Sequence, residues 1–129
     1  MRFYNLTLYI VKAFVYNKYN YTEIVEATPM NSKIKNEEAD FLFNAVLQLQ
    51  TVEECYKFFE DLCTVPEIKA MSQRIVVAKM LSDGKVYSEI VKKTGASTAT
   101  ISRVNRSLEY GCDAYPMIFA RMKDEGAAE

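Results

Sequence analysis

The chain has 129 residues, a length that fits one compact domain with short tails. Half of the residues are hydrophobic and the net charge is -1, so a core can form, but no overall charge attracts nucleic acid. Histidine is absent, which excludes a Ser-His or Cys-His nucleophile and every histidine-ligated metal site. The sequence also lacks a paired-carboxylate motif, a glycine-rich phosphate loop and metal-ligand spacing, so we expect no enzyme, no metal site and no cofactor.

Residues 1–35 differ in composition from the rest of the chain. They are rich in tyrosine and β-branched residues, which favours strands or irregular structure. Thr28-Pro29 then interrupts the chain, because a residue before proline avoids the helical conformation. We predict an N-terminal extension over residues 1–35 and leave two origins open. In the one we favour, because the composition changes at a methionine, the natural protein begins at Met30; in the other, the segment is an appendage that pairs with a partner.

Residues 36–126 are predicted to form one helical domain. Asn36 caps a first helix. The sequences Thr51-Val-Glu-Glu54 and Thr64-Val-Pro-Glu67 are capping boxes, which begin a second and a third helix. Gly84 ends the third helix, and a last helix is predicted over residues 116–124. Strand patterns are absent after residue 35, so the predicted fold class is all-α.

The first two predicted helices carry apolar stripes at helical spacing, and we expect these stripes to be buried. Helices this short are marginal alone and must bury that face on other helices, for which dimerisation is a natural route. The stripe residues are Phe41, Leu42, Ala45, Val46 and Leu49 in the first helix and Cys55, Phe58, Phe59 and Leu62 in the second.

The three cysteines match neither a disulfide framework nor a metal motif. Cys55 and Cys63 lie in an apolar helical pattern and are predicted to be buried, reduced thiols. Reduced thiols suit a cytoplasmic location. No run of the sequence reaches the ~18–20 apolar residues of a membrane span, so we expect no membrane association.

Charge is unevenly distributed along the chain. Residues 36–67 contain eight acidic residues and one basic residue, whereas residues 85–106 contain five basic residues and one acidic residue. Asymmetry of this kind indicates that one face of the protein can meet an anion while the whole chain stays near neutrality.

A helix-turn-helix is predicted over residues 87–109. Such a motif joins two helices at about 90–120° through a turn of 3–4 residues that often contains glycine. Gly95 supplies a left-handed backbone, Ala96 allows close helix approach and Ser97 caps the second helix. The residues predicted to face inward are Ile90, Val91, Ile101, Val104 and Leu108.

The outward face of the second helix of this motif is the predicted DNA-binding surface. Short hydroxyl side chains and alanine allow close approach to phosphates and base edges, and basic residues attract phosphates. The alternative is a surface helix pair that binds no nucleic acid. The residues assigned to DNA binding are Lys92, Lys93, Ser97, Thr98, Ala99, Thr100, Ser102, Arg103 and Arg106.

The run Gly95-Ala-Ser-Thr-Ala-Thr-Ile-Ser-Arg103 resembles the core of the Trp repressor family. The longer stretch from about Asn36 to Tyr115, including Glu53-Glu-Cys-Tyr-Lys-Phe-Phe-Glu-Asp-Leu-Cys63, resembles the short Trp-repressor-like YerC/YecD proteins. The resemblance implies a six-helix subunit and an intertwined homodimer. It also implies two recognition helices about one DNA turn apart, which predicts a palindromic operator on double-stranded DNA.

The resemblance also implies an effector site. The Trp repressor holds its amino-acid effector between two arginines, which correspond to Arg74 and Arg103, and a serine that corresponds to Ser107 helps to hold it. The next residue after the second arginine is glycine in the Trp repressor and Val104 here, and the helical pattern places Val104 in the core. An amino-acid-like effector at these residues is therefore a prediction, and tryptophan is not the expected ligand. In the alternative, the arginines contact phosphates or serve the structure.

The sequence thus predicts a sequence-specific DNA-binding transcriptional repressor that acts as a homodimer. The alternative is a helical protein–protein interaction module without DNA binding. In that case, the acidic and aromatic helices between Phe41 and Leu62 would bind a protein partner.

Overall fold

A computed structural model of the chain describes residues 33–126, which form six helices and no strand. The predicted all-α class and the six helices are therefore confirmed for this part of the chain. Most of the N-terminal extension, residues 1–32, lies outside the described residues, and so do the predictions about its origin. The helices are α1 (Glu37–Val46), α2 (Val52–Leu62), α3 (Val65–Ser82), α4 (Tyr87–Thr94), α5 (Thr98–Tyr110) and α6 (Ala114–Gly126).

The first two helices begin at the predicted caps. Asn36 Oδ1 accepts a hydrogen bond of 2.8 Å from the backbone N–H of Ala39, and Thr51 Oγ1 accepts one of 3.1 Å from that of Glu54. The second half of the predicted Thr51 box differs from expectation. The Glu54 carboxylate accepts the N–H of Gln50 at 2.7 Å, one residue before the cap, so it satisfies a donor ahead of the helix.

Helix α3 is bounded by local hydrogen bonds at both ends. The Glu67 carboxylate accepts the backbone N–H and the hydroxyl of Thr64, each at 2.7 Å. Both bonds lower the pKa of the Glu67 carboxyl, and the bond from the backbone N–H has the larger effect. At the other end, Gly84 adopts a φ of 77°, and the N–H of Lys85 reaches the carbonyl of Met80 at 3.0 Å. This left-handed ending stops the helix at Ser82, close to the predicted position.

The core lies between α3 and the last three helices. Helix α3 packs against α4, α5 and α6, and α4 packs against α5. Leu108 is half-buried against the core. Val91, predicted to face inward, is 38% exposed: neighbouring positions of a helix point about 100° apart, and Ile90 occupies the inward position. The buried residues are Val77, Ala78, Ile90, Ala96, Ile101, Val104 and Phe119.

The apolar stripes of α1 and α2, which were predicted to be buried, contain no buried residue. Phe41 is 79% exposed and Leu62 is 50% exposed, although both belong to the predicted apolar stripes. The sequence pattern is correct about the apolar faces, but none of their residues is buried among residues 33–126.

Helix α6 begins two residues earlier than predicted and ends two residues later. Pro116 lies in its first turn, where a missing N–H removes no helical hydrogen bond. Phe119 is 7% exposed and stacks on Tyr115 with ring centroids 6.0 Å apart, while Lys79 Nζ of α3 lies 5.8 Å from the Phe119 centroid. The burial of Phe119 in the core and its contact with Lys79 hold α6 against α3.

Candidate nucleic-acid interface

The turn between α4 and α5 has the left-handed backbone predicted at Gly95. Gly95 follows the last residue of α4 with a φ of 69°, and its N–H bonds to the carbonyl of Val91 at 2.9 Å. Ala96 is 2% exposed, so its methyl group lies where the two helices meet. Helix α4 runs over the predicted residues, and α5 extends one residue beyond prediction, to Tyr110.

Helix α5 begins with a side-chain cap that involves two of the predicted DNA-binding residues. Ser97 Oγ accepts the backbone N–H of Thr100 at 3.1 Å and lies 3.0 Å from the Thr100 hydroxyl. Thr100 is half-buried. Ser97 and Thr100 therefore interact with each other and stabilise the first turn of α5, which orients the residues beside them.

Three further predicted residues form an exposed surface beside this cap. Thr98, Ala99 and Ser102 all lie on the solvent side of α5. The first turn of α5 contains no acidic residue, whereas each of the four preceding helices has at least one. The positive end of the α5 dipole is therefore available to an anion such as a phosphate.

Four exposed basic side chains lie on the same two helices. Lys92 and Lys93 are exposed in the last turn of α4, and Arg103 and Arg106 are exposed on α5. Residues 90–108 contain no aspartate or glutamate. Within residues 33–126, none of the four makes an ion pair. Their charges are consequently available for an external anion.

The three predicted effector residues lie on two helices. Arg74 is exposed on α3, whereas Arg103 and Ser107 are exposed on α5. The Ser107 hydroxyl donates to the backbone carbonyl of Arg103 at 3.3 Å, so it already has a partner within its own helix. Val104 is 3% exposed and belongs to the core, as the helical pattern predicts.

The cysteines are free thiols with unequal exposure. Cys55 and Cys63 are half-buried rather than buried, and Cys112 is exposed. Among residues 33–126, no cluster of histidine, cysteine, aspartate or glutamate could hold a metal ion. No helix in that part of the chain is long and apolar enough to cross a membrane.

Sequence reasoning missed a long-range polar contact near the turn. Gln73 Nε2 of α3 donates a hydrogen bond of 3.1 Å to the carbonyl of Thr94, the last residue of α4. The two residues lie 21 positions apart, and no local pattern pairs a glutamine with a distant helix end. The resulting link between α3 and the turn is visible only in the folded subunit.

The arrangement of α3, α4 and α5 defines the class of protein: a helical domain built around a helix-turn-helix. Comparisons with known proteins define the family. Residues 37–123 match the family model described as Trp repressor protein, and the chain therefore belongs to the Trp repressor family. This match confirms the resemblance inferred from the recognition-helix sequence.

Individual relatives agree with this assignment. The chain is 54% identical over 92 residues to the uncharacterized protein YerC of Bacillus subtilis, in a match that covers 71% of this chain and 88% of YerC. A Staphylococcus aureus crystal structure described as a candidate Trp repressor has 54% identity and a TM-score of 0.71, over 74% of this chain and 96% of the other. A TrpR-like protein from Eubacterium eligens has 54% identity and a TM-score of 0.70, over 72% and 96% of the respective chains.

Proposed function

We propose that this protein is a sequence-specific DNA-binding transcriptional regulator, acting as a repressor, that reads a palindromic operator with α5. The observation that carries the proposal is the exposed face of the helix-turn-helix. Small and hydroxyl side chains occupy the first turn of α5, four exposed basic residues lie on α4 and α5, and residues 90–108 contain no acid. Membership of the Trp repressor family, a regulatory DNA-binding fold, supports the same function.

The proposal divides the surface into two kinds of contact. Lys92, Lys93 and Arg106 would neutralise phosphates, which gives affinity for every sequence. Thr98, Ala99 and Ser102 would face base edges: hydroxyl groups can bond to bases directly or through water, and the alanine methyl can pack on a thymine methyl. Ser97 and Thr100 would hold the first turn of α5 in place through their mutual hydrogen bonds.

The experiment that tests this function is selection from a library of DNA duplexes with a random core longer than two DNA turns. Bound duplexes are recovered and sequenced at two salt concentrations. A specific dimeric binder enriches one palindromic motif that persists at the higher salt, because base contacts depend on salt less than phosphate contacts do. Retention only at low salt, without a common motif, would contradict the proposal and favour the protein-interaction module.

We also propose that the regulator is a homodimer, and the apolar surface of α1–α3 supports this. Phe41, Leu47 and Tyr56 are 79%, 78% and 73% exposed. Helices α2 and α3 border a groove of about 790 Å³ that includes Phe59 and Ile75. Exposed apolar surface of this extent is typical of an interaction site, and a second copy would bury it.

Analytical ultracentrifugation tests the dimer with a matched pair of variants. Tyr56→Asp places a charge in the groove, whereas Tyr110→Asp places the same charge on α5, where the tyrosine is 81% exposed. We expect wild type and Tyr110→Asp to sediment as dimers and Tyr56→Asp to sediment largely as a monomer, because burying a carboxylate is costly. Equal masses for the two variants would contradict this interface.

We also propose that an amino-acid-like effector binds at Arg74, Arg103 and Ser107. Two exposed guanidinium groups can bind a carboxylate, which supports it. Val104 fills core space beside Arg103, so tryptophan is not the proposed ligand. Isothermal titration with the common amino acids, in the presence and absence of the selected duplex, tests it: an effector must shift duplex affinity as well as bind.

A further inference from the structure

Three hydrogen bonds converge on Thr94, the residue that ends α4. The side-chain amide of Gln73 on α3 donates a hydrogen bond of 3.1 Å to the backbone carbonyl of Thr94. The Thr94 hydroxyl donates to the carbonyl of Ile90 at 2.7 Å and accepts a hydrogen bond from the backbone N–H of Ala96 at 3.1 Å. All three are part-buried, so solvent competes with them less than with the exposed bonds at the other helix ends.

These bonds fix both sides of the turn. The Thr94 hydroxyl joins the last turn of α4 to Ala96, the first residue after Gly95. The Gln73 amide then joins this local unit to α3. The chain passes directly from Ala96 into the Ser97 cap of α5, so the position of Thr94 determines where α5 begins.

The apolar core alone specifies that position less well. Ile90 and Ile101 pack against Val77 and Ala78 of α3, and such contacts are not directional. A hydrogen bond requires a narrow range of distances and angles, so it restricts small sliding and rotation of one helix on another. Base reading depends on such small displacements, since each side chain must reach its base edge within hydrogen-bond distance.

We propose that Gln73 and Thr94 are positioning residues for DNA recognition, which hold the helix-turn-helix on α3 in the orientation that reads bases. The inference rests on the DNA-binding function proposed above. It predicts a specific defect: loss of the Gln73 bond leaves phosphate attraction intact and weakens sequence discrimination. Neither residue touches DNA in this proposal, because both act through the orientation of α5.

The expected loss of DNA affinity follows from the fraction of molecules in which α5 is correctly placed. Apparent affinity falls by the fraction of molecules in the competent arrangement. A hydrogen bond of ordinary net strength changes such an equilibrium by about fivefold. We therefore expect each half-site to lose up to about fivefold in affinity, and the full factor applies where the competent arrangement is the minor one. A palindromic duplex bound by two subunits should lose up to the square of that factor, about 25-fold.

The experiment compares Gln73→Met with Gln48→Met. Both replace a glutamine by an unbranched side chain of similar length, and Gln48 also donates to a backbone carbonyl, that of Asn44 at 3.4 Å, but far along the chain from the turn. Each protein is titrated against the palindromic duplex enriched by the wild type from the random-core library and against a scrambled duplex of equal length.

We expect Gln73→Met to lose affinity for the enriched duplex and to keep its affinity and salt dependence on the scrambled one, while Gln48→Met matches the wild type on both. A merely structural role would lower both affinities together through loss of folded protein. Equal discrimination by wild type and Gln73→Met would overturn the inference but leave the DNA-binding function standing. If the wild type enriches no sequence, the proposed function itself fails, and this inference fails with it.

A second measurement requires no DNA. Amide hydrogen exchange followed by NMR reports on the Ala96 N–H, which bonds to the Thr94 hydroxyl. We expect faster exchange at Ala96 in Thr94→Val and in Gln73→Met, and near-wild-type exchange in Thr94→Ser, which keeps the hydroxyl. Unchanged exchange in both Thr94→Val and Gln73→Met would overturn the positioning role, whatever the binding titrations give.

Discussion

Replacing Gly95 by alanine should destabilise the protein through backbone conformation alone. Gly95 has a φ of 69°, in the left-handed region, where an L-residue with a Cβ costs about 1–2 kcal/mol. A Cβ built at this position meets no atom within 4 Å, so no steric clash adds to that cost. We therefore expect Gly95→Ala to lower the free energy of unfolding by about 1–2 kcal/mol.

Urea denaturation followed by circular dichroism measures this change. Gly126 gives a matched control, since a Cβ there also meets nothing within 4 Å and its φ is not positive. Gly126→Ala should be neutral or slightly stabilising, because alanine restricts the unfolded chain more than glycine does. Protein concentration must be equal in all samples, since the stability of a dimer depends on protomer concentration.

Gly95→Asn distinguishes the cost of the left-handed backbone conformation from the cost of a larger side chain. Asparagine tolerates the left-handed region better than alanine, so this variant should lose less stability although its side chain is larger. A Gly95→Ala loss no greater than that of Gly126→Ala would refute the left-handed assignment of the turn. A loss well above ~3 kcal/mol would refute the statement that the position is sterically open, since conformation alone does not cost so much.

Three further changes test the site and the fold. Lys92→Gln should weaken binding to every duplex alike. It should also reduce the slope of log affinity against log salt by about 0.9 for each phosphate that it leaves without a cationic partner. Thr98→Val should chiefly reduce preference for the enriched motif, and filter-binding titrations over a salt series distinguish the two variants. Ile101→Ala should cost about 2–5 kcal/mol in urea denaturation, because Ile101 is fully buried in the core, and a cost below ~1 kcal/mol would contradict that packing. Hydrogen bonds from Thr64 hold the pKa of Glu67 below its ordinary value of 4.5 in the folded protein. The ionised carboxylate therefore stabilises the fold at a pH above 4.5. This stabilisation is lost as the pH falls through the lowered pKa of the folded protein. Glu67→Gln should therefore show a smaller loss of stability on acidification than Glu53→Gln, and parallel pH profiles would contradict the cap bond.

The elements that sequence predicts well are those governed by local rules. Asn36 and Ser97 cap α1 and α5 as expected, because an N-cap bond spans only three residues. Gly84 and Gly95 adopt positive φ where a helix has to stop. The bounds of α4 agree with prediction for the same reason: its start and end depend on residues within one turn of the helix.

The elements that sequence predicts poorly depend on contacts between distant residues. The apolar stripe of α1 is evident from spacing, yet Phe41 is mostly exposed, because spacing identifies an apolar face but not what covers it. The bond from Gln73 to Thr94 joins positions 21 residues apart and follows from packing of α4 on α3. The candidate site shows the same division: its residue types and the Ser97 cap were predicted, whereas the bond that ties the end of α4 to α3 required the structure.

Helix α3 connects the two surfaces on which the proposed function depends. Ile68 and Ile75 of α3 line the groove proposed as the dimer interface, while Val77 and Ala78 form the base on which the helix-turn-helix packs. The helix runs without interruption for 18 residues, about 27 Å, so no hinge separates the groove from that base. In the proposed dimer, a rigid element would therefore set the distance between the two α5 helices. Flexible linkage would let one protein accept half-sites at several separations, whereas this arrangement favours an operator whose half-sites have one fixed spacing.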